Sequence, residues 1–210
     1  MRLLRSMING RTITVAGPAR SGKTTFADYL HYGAFEHAHE TPTTYSASAS
    51  GRFDVAIGER RNLEMIVRNL VDLPGLLPDQ SEPVFDINPH AIVIVLDASA
   101  PLHRAGDPMA TATWLEHFIG RLDQRWANAA RDHNRLRSLT VAINKADLVK
   151  DDRVSDVGQE CRAILDRHLR AARGPRLVEA TFRRCSMVEN PSHTKWVDSI
   201  LFETARNLSR

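Results

Sequence analysis

One stretch of the chain has residue types and spacing suited to phosphate binding: Gly17-Pro18-Ala19-Arg20-Ser21-Gly22-Lys23-Thr24. It fits the pattern G-x-x-x-x-G-K-[ST], in which loop N–H groups and a helix N-terminus hold phosphate oxygens. Lys23 would reach the β- and γ-phosphates, and the Thr24 hydroxyl would bind Mg²⁺. The sequence therefore predicts a nucleoside triphosphate site, whose phosphate-binding residues are Gly17, Ala19, Arg20, Ser21, Gly22, Lys23, Thr24 and Thr25.

Groups for the metal and the terminal phosphate follow further along the chain. Asp72-Leu73-Pro74-Gly75 is expected at a strand end, where Asp72 would hold Mg²⁺ through water and the Gly75 N–H would sense the γ-phosphate. A threonine about twenty residues beyond Thr24 could join the metal when a γ-phosphate is present. Thr43 is the preferred candidate, and Thr41 and Thr44 remain alternatives. The predicted metal ligands are thus Thr24, Thr43 and Asp72.

The segment Asn144-Lys145-Ala146-Asp147 has the chemistry of base recognition. Asp147 can accept two hydrogen bonds from guanine N1–H and N2–H₂, which adenine cannot offer. Asn144 would tether the phosphate loop, and the Lys145 stem would cover the face of the ring. Because the tetrad follows a buried strand, we expect GTP and GDP to be bound in preference to ATP.

These segments require a sheet that brings strand ends together. Residues 11–16 are β-branched at alternate positions, while 91–96 and 139–143 are apolar runs typical of strands buried on both faces. Residues 52–58 and 63–73 are expected to form an antiparallel pair. Aromatic residues four apart between 114 and 126 predict a helix packed on the sheet. The range 31–50 is expected to be a loop, and 76–89 an irregular loop with one turn at Pro83.

Composition narrows the class of protein. The 210 residues, 42% hydrophobic and 25% charged, suit one α/β domain over 1–210, with 1–10 as an N-terminal extension. Two cysteines, no signal peptide and no apolar run of membrane-spanning length predict a cytoplasmic protein. The net charge of +3 and an arginine-rich helix are interpreted as a solvated surface. Binding of nucleic acid or of an acidic membrane surface is the weaker alternative.

The three motifs, in this order, resemble the translation-factor-related (TRAFAC) class of P-loop GTPases, especially Ras/Arf-type small GTPases and the signal-recognition-particle receptor β subunit. The resemblance implies a three-layer α/β G domain that binds GTP or GDP with Mg²⁺. Its sheet would have six strands, mainly parallel with one antiparallel edge strand, between helices on both faces. It also implies that Cys185-Ser186-Met187 supports the base through backbone N–H groups, which adds Ser186 and Met187 to the nucleotide site.

Catalysis is where the chain departs from that class. Leu76 follows D-x-x-G, where Ras-like proteins have the glutamine that orients the attacking water, so intrinsic hydrolysis should be slow. Gln80 is a remote substitute on a loop expected to be mobile. Arg20 lies where guanylate-binding proteins and atlastins, which look similar here, use an arginine finger in cis; a solvent-facing arginine is the competing interpretation. The predicted catalytic groups are Lys23, Arg20 and Gly75.

Two functions fit these observations. One is a slow GTP-hydrolysing switch that acts on an unknown protein partner or regulator, which could recruit it to a membrane. The other is a GTP-bound interaction module that hydrolyses little. Leu76 favours the module, and the magnesium ligands favour the switch. A homodimer is open as well, because a second copy could turn Arg20 inward.

Overall fold

A computed structural model of the chain describes residues 11–32, 46–48, 51–57, 61–75, 79–129, 135–169, 180–188 and 191–208. The strands are β1 (Arg11–Ala16), β2 (Ser46–Ser48), β3 (Gly51–Ile57), β4 (Arg61–Asp72), β5 (Ala91–Asp97), β6 (Ser138–Asn144) and β7 (Ala180–Arg184). The helices are α1 (Lys23–Tyr32), α2 (Ser81–Ile87), α3 (Thr111–Asn128), α4 (Asp151–Leu169) and α5 (Pro191–Leu208), with a 3₁₀ turn at Ala146–Leu148.

One sheet organises these elements. Five strands are mutually parallel in the order β4-β1-β5-β6-β7, which confirms the predicted α/β class. β2 and β3 both pair antiparallel with β4, β2 along its C-terminal part and β3 along its N-terminal part. Ser46 lies opposite Asp72, and Gly51 lies opposite Val67. The described sheet therefore has seven strands where six were expected. The difference arises because β2 lies within the range 31–50, which was expected to be a loop.

Helices cover both faces of the sheet. Ile92, Ile94 and Leu96 of β5 pack in a core with residues of α2, α3 and α4. The alternate residues Val93 and Val95 pack in a second core with residues of α1 and α5. This alternation is what a parallel strand between two helical layers requires, and it explains the unbroken apolar run in the sequence. Each large side chain buried in these layers stabilises the fold by roughly 1.5–3 kcal/mol.

Within 76–89, where an irregular loop with one turn at Pro83 was expected, the structure has the helix α2. It begins at Ser81, so Pro83 is in its first turn, where the missing N–H would have had no partner within the helix. The helix ends at Ile87, and the left-handed backbone of Asn88 (φ 48°) forms its C-cap. The proline-rich composition therefore allowed a short helix, which packs against α3.

The order of the strands creates a crevice at their carboxyl ends. β1 lies between β4 and β5: the chain passes from β1 to the strands on one side of it and then crosses from β4 to β5 on the other side. Ligands of open α/β sheets bind at such a switch point. β1 leads into the phosphate loop, β4 ends at Asp72 beside Val15, and β6 ends at Asn144 beside Asp97. The fold thus places the predicted site segments along one edge.

Candidate functional site

A cavity of about 370 Å³ lies among the segments that follow β1, β4, β6 and β7. Its volume is within the range typical of small-molecule sites. Most of the predicted nucleotide-binding residues line it: Arg20, Gly22, Lys23, Thr24, Thr25, Gly75, Asn144, Lys145, Asp147, Ser186 and Met187. Leu73, Leu148 and Val188 complete the lining. Residues that are far apart in the chain are therefore brought to one cavity.

The phosphate loop holds its lysine in a buried position. Lys23 is 5% exposed, and its Nζ donates a hydrogen bond of 2.7 Å to the Pro18 carbonyl. Burial lowers the Lys23 pKa to about 8, against the opposing charge of Asp72. Gly22 has φ +100°, and a Cβ there would lie 2.3 Å from the Asn144 amide nitrogen. Only glycine therefore lets the loop approach Asn144 so closely.

Two of the three predicted metal ligands are in contact. Thr24 Oγ1 donates to Asp72 Oδ2 at 2.8 Å. The other oxygen of Asp72, Oδ1, is buried and has no hydrogen-bond partner among the described residues. Burial raises the Asp72 pKa, and the Thr24 hydrogen bond and the Lys23 charge oppose that rise. A hydroxyl and a carboxylate with an unused oxygen suit Mg²⁺. Thr43, Thr41 and Thr44 lie outside the described residues.

Asn144 joins three of the site segments. Its side chain is 2% exposed, its Nδ2 donates to the Ser21 carbonyl at 2.8 Å, and its Oδ1 accepts from the Met187 N–H at 3.1 Å. The predicted tether to the phosphate loop is therefore present in the geometry. The Met187 N–H is occupied by Asn144, so of the two residues expected to support a base, Ser186 is the one whose backbone is left for it. The buried Ser186 hydroxyl also has no partner among the described residues.

Asp147 and Lys145 also line the cavity. Asp147 is exposed and belongs to the 3₁₀ turn Ala146–Leu148. Lys145 has a left-handed backbone (φ 59°), and its Nζ forms an ion pair with Asp97. Sequence reasoning missed Asp97. An acidic residue at the end of an apolar strand, beside the strand of Asn144, was the available signal.

Gly75 lies directly against the phosphate loop. It is buried, and a Cβ built on it would lie 2.6 Å from the Ala19 Cα and 2.8 Å from Lys23 Nζ. The D-x-x-G segment is thus close enough for its N–H and Lys23 to contact one phosphate. Leu76 lies outside the described residues.

Gln80, expected on a mobile loop, lies at the N-terminal end of α2, directly before Ser81. It is 2% exposed, and its side-chain amide exchanges two hydrogen bonds with the backbone of Gly17. Both amide atoms are already hydrogen-bonded to backbone groups, so Gln80 is poorly suited to orient an attacking water in this arrangement. Nothing in the local sequence signals a contact with a residue 63 positions away.

Arginines at two places on the surface were given alternative roles. Arg20 is exposed at the cavity, with a left-handed backbone (φ 62°), and this geometry is compatible with either of its interpretations. On α4, Arg167 pairs with Glu116, and the Arg162 guanidinium lies 4.5 Å from the centre of the Phe182 ring. These two α4 arginines thus have intramolecular contacts.

In the described ranges, no helix combines the length and apolar character needed to cross a membrane.

Comparison with known proteins supports the fold. No protein-family model matches the chain, and no curated protein matches it. It is similar in structure to the bacterial selenocysteine-specific elongation factor EF-Sec, with a TM-score of 0.55 at 13% identity over 95% of this chain. It is also similar to the elongation factor SelB from Methanococcus maripaludis, both in complex with the GTP analogue GPPNHP and in the apo form. Each of these two matches has a TM-score of 0.53 at 15% identity, over 94% and 96% of this chain. The chain spans 28% of EF-Sec and 34% of SelB, so it resembles a part of each.

Proposed function

We propose that this protein binds GTP and GDP with Mg²⁺ and hydrolyses GTP slowly, acting as a nucleotide-dependent switch for a partner protein. The observation that carries the proposal is the position of Asn144. Its amide connects Ser21 to the segment at Met187, so the loop predicted to bind phosphate and the tetrad predicted to bind the base line one cavity. The fold similarity to elongation factors, one of them holding a GTP analogue, agrees with this proposal.

The base would be selected at Asp147. Its carboxylate would accept hydrogen bonds from guanine N1–H and N2–H₂, while adenine offers no matching pair of donors. Exposed Leu148 and Val188 at the cavity edge give the flat ring an apolar surface to contact. Lys145, held by Asp97, would keep its stem along the other side of the ring. Ser186 would contact the base through its backbone.

The phosphates would bind to the loop N–H groups and to Lys23. Mg²⁺ would be held by Thr24, by Asp72 through water, and by a threonine of which Thr43 is the preferred candidate. When bound, the metal supplies positive charge to the β- and γ-phosphates. Gly75 would donate its N–H to the γ-phosphate. Arg20 would supply further positive charge in the transition state, if a partner or a second copy turns it inward.

The finer assignments are part of the same proposal. The chain would be a single G domain over 1–210 with an extension at 1–10. It would belong to the TRAFAC class, close to the small GTPases, and would be cytoplasmic, with recruitment to a membrane by a partner.

The second candidate function is a GTP-bound module that hydrolyses little. Leu76 favours it, and so does Gln80, whose amide is engaged with Gly17 and is therefore poorly suited to replace the missing glutamine.

Calorimetry of the purified protein with GTP and ATP in the presence of Mg²⁺ tests the proposal. We expect GTP to bind at least ~10²-fold more tightly, because the wrong base leaves the Asp147 carboxylate without its partners. Lys23→Ala should lose triphosphate binding while its thermal unfolding stays cooperative, and Lys195→Ala, an exposed lysine on α5, is the matched control. Equal affinities for GTP and ATP would reject guanine recognition. Full GTP affinity in Lys23→Ala would reject the assignment of residues 17–24 as a phosphate-binding loop.

Hydrolysis is tested separately by single-turnover assays with radiolabelled GTP. Slow turnover that a cell extract stimulates supports the switch. Undetectable turnover under both conditions, with GTP bound tightly, supports the interaction module instead.

A further inference from the structure

Gln80 uses its whole side-chain amide on two backbone segments of the site. Its Oε1 accepts from the Gly17 N–H at 3.0 Å, and its Nε2 donates to the Gly17 carbonyl at 2.8 Å and to the Pro74 carbonyl at 3.1 Å. A reversed amide would place N–H against N–H and oxygen against two carbonyls. The three partners therefore fix its orientation.

The two segments that Gln80 joins differ in how they are held. Gly17 opens the phosphate loop and packs tightly on β5, since a Cβ there would lie 2.2 Å from the Val95 carbonyl oxygen. Pro74 has no N–H, so its carbonyl is the one backbone group through which it can be tied. The residue after it is Gly75, which lies against Ala19 and Lys23 Nζ. Gln80 thus connects a fixed part of the loop to the neighbour of Gly75.

The backbone of Gln80 is anchored in turn to the body of the domain. The residue before it, Asp79, accepts from Arg121 and Arg125 of α3 at 2.9 and 3.3 Å. Asp79 also accepts from the N–H of Ser81, where α2 begins. The position of Gln80 is therefore also fixed through α2 and α3, independently of its hydrogen bonds to Gly17 and Pro74.

We propose that Gln80 is a positioning residue: it holds Pro74 and Gly75 against the phosphate loop, so that the Gly75 N–H is in place for a terminal phosphate before the ligand arrives. The inference rests on the proposed function, because it requires a nucleoside triphosphate as ligand. Such placement strengthens binding by lowering the cost of ordering the site. It benefits GTP and not GDP, because only GTP has a phosphate for Gly75.

The distinguishing measurement is the ratio of GTP to GDP affinity. A residue that merely stabilises the fold or the phosphate loop would weaken both nucleotides alike and leave that ratio unchanged. Loss of the Pro74 hydrogen bond should lower the ratio by roughly 5- to 10-fold, the equivalent of one net hydrogen bond.

The experiment uses Gln80→Met, which keeps the approximate length of the side chain and removes its hydrogen bonds. Calorimetry with GDP and with a non-hydrolysable GTP analogue, both with Mg²⁺, gives the ratio. Gln80→Leu is the second variant, because it also removes all three hydrogen bonds and places a smaller apolar side chain in the same buried position. The affinity ratio of this second variant is measured if the methionine variant does not fold. Gln124→Met, at an exposed site on α3, is the control.

A ratio that falls in the Gln80 variants and not in the control supports the inference. A ratio that stays at the wild-type value, or rises, overturns it. A wild-type protein that binds neither nucleotide would instead reject the proposed function, so the two failures are distinct.

Discussion

Replacing Asn144 should destabilise the protein even when no nucleotide is present. Asn144→Ala removes the hydrogen bond to the Ser21 carbonyl and the one from the Met187 N–H, and all three residues are buried. Each backbone group left without a partner in a buried position costs ~1–3 kcal/mol. Because water can enter the space and satisfy part of this loss, we expect a total of ~2–4 kcal/mol.

Urea unfolding of the nucleotide-free protein, followed by far-UV circular dichroism, measures this change. With a slope of ~2–3 kcal/mol per molar urea, the midpoint should fall by roughly 1 M. Asn128→Ala, at an exposed position near the end of α3, should change stability by less than ~0.5 kcal/mol. A loss below ~1 kcal/mol in Asn144→Ala would show that Asn144 does not hold the site segments together.

Three further changes test other parts of the site. Gly22→Ala should abolish nucleotide binding in calorimetry, because its Cβ meets Asn144, whereas Gly158→Ala on α4, with only an ordinary contact to Ile143, should bind normally. Arg20→Ala should cut the stimulated single-turnover rate at least ~10²-fold and leave GDP affinity unchanged if Arg20 acts as a finger; an unchanged rate assigns it to the surface. Asp79→Asn should cost roughly 1 kcal/mol at pH 7 in urea unfolding. Hydrogen bonds from Ser81, Arg121 and Arg125 outweigh burial and lower the Asp79 pKa to about 2, and solvent around the partly exposed arginines screens part of this effect. This contribution to the free energy of unfolding is present above pH ~4 and is lost as the pH falls towards 2. A stability difference between wild type and Asp79→Asn that stays unchanged at low pH would contradict this prediction.

The parts of the site that could be predicted are those encoded by local spacing. Glycines and a lysine at fixed intervals marked the phosphate loop, and apolar runs marked β5 and β6, because strand and loop geometry depend on neighbouring residues. The cavity that joins the loop to Asp147 followed from the rule that parallel strands end at one edge.

The missed features depend on residues distant in the sequence. The partners of Gln80 and the ion pair of Asp97 with Lys145 arise from tertiary packing, which has no local pattern. β2 was missed because three residues pairing with β4 carry too little signal. α2 was expected only as a single turn starting at Pro83, because a proline in the first turn of a helix resembles a proline in a loop.

Calorimetry of Asp147→Asn with GTP and with xanthosine triphosphate tests guanine recognition most directly. The amide of asparagine can donate to the xanthine O2 and accept from its N1–H, a pattern that the carboxylate cannot provide. We predict that the wild-type protein prefers GTP and that the variant prefers xanthosine triphosphate, with the affinity ratio changing by at least ~10²-fold. A variant that still binds GTP as tightly as the wild type would show that Asp147 does not read the base, and guanine recognition at this cavity would be rejected.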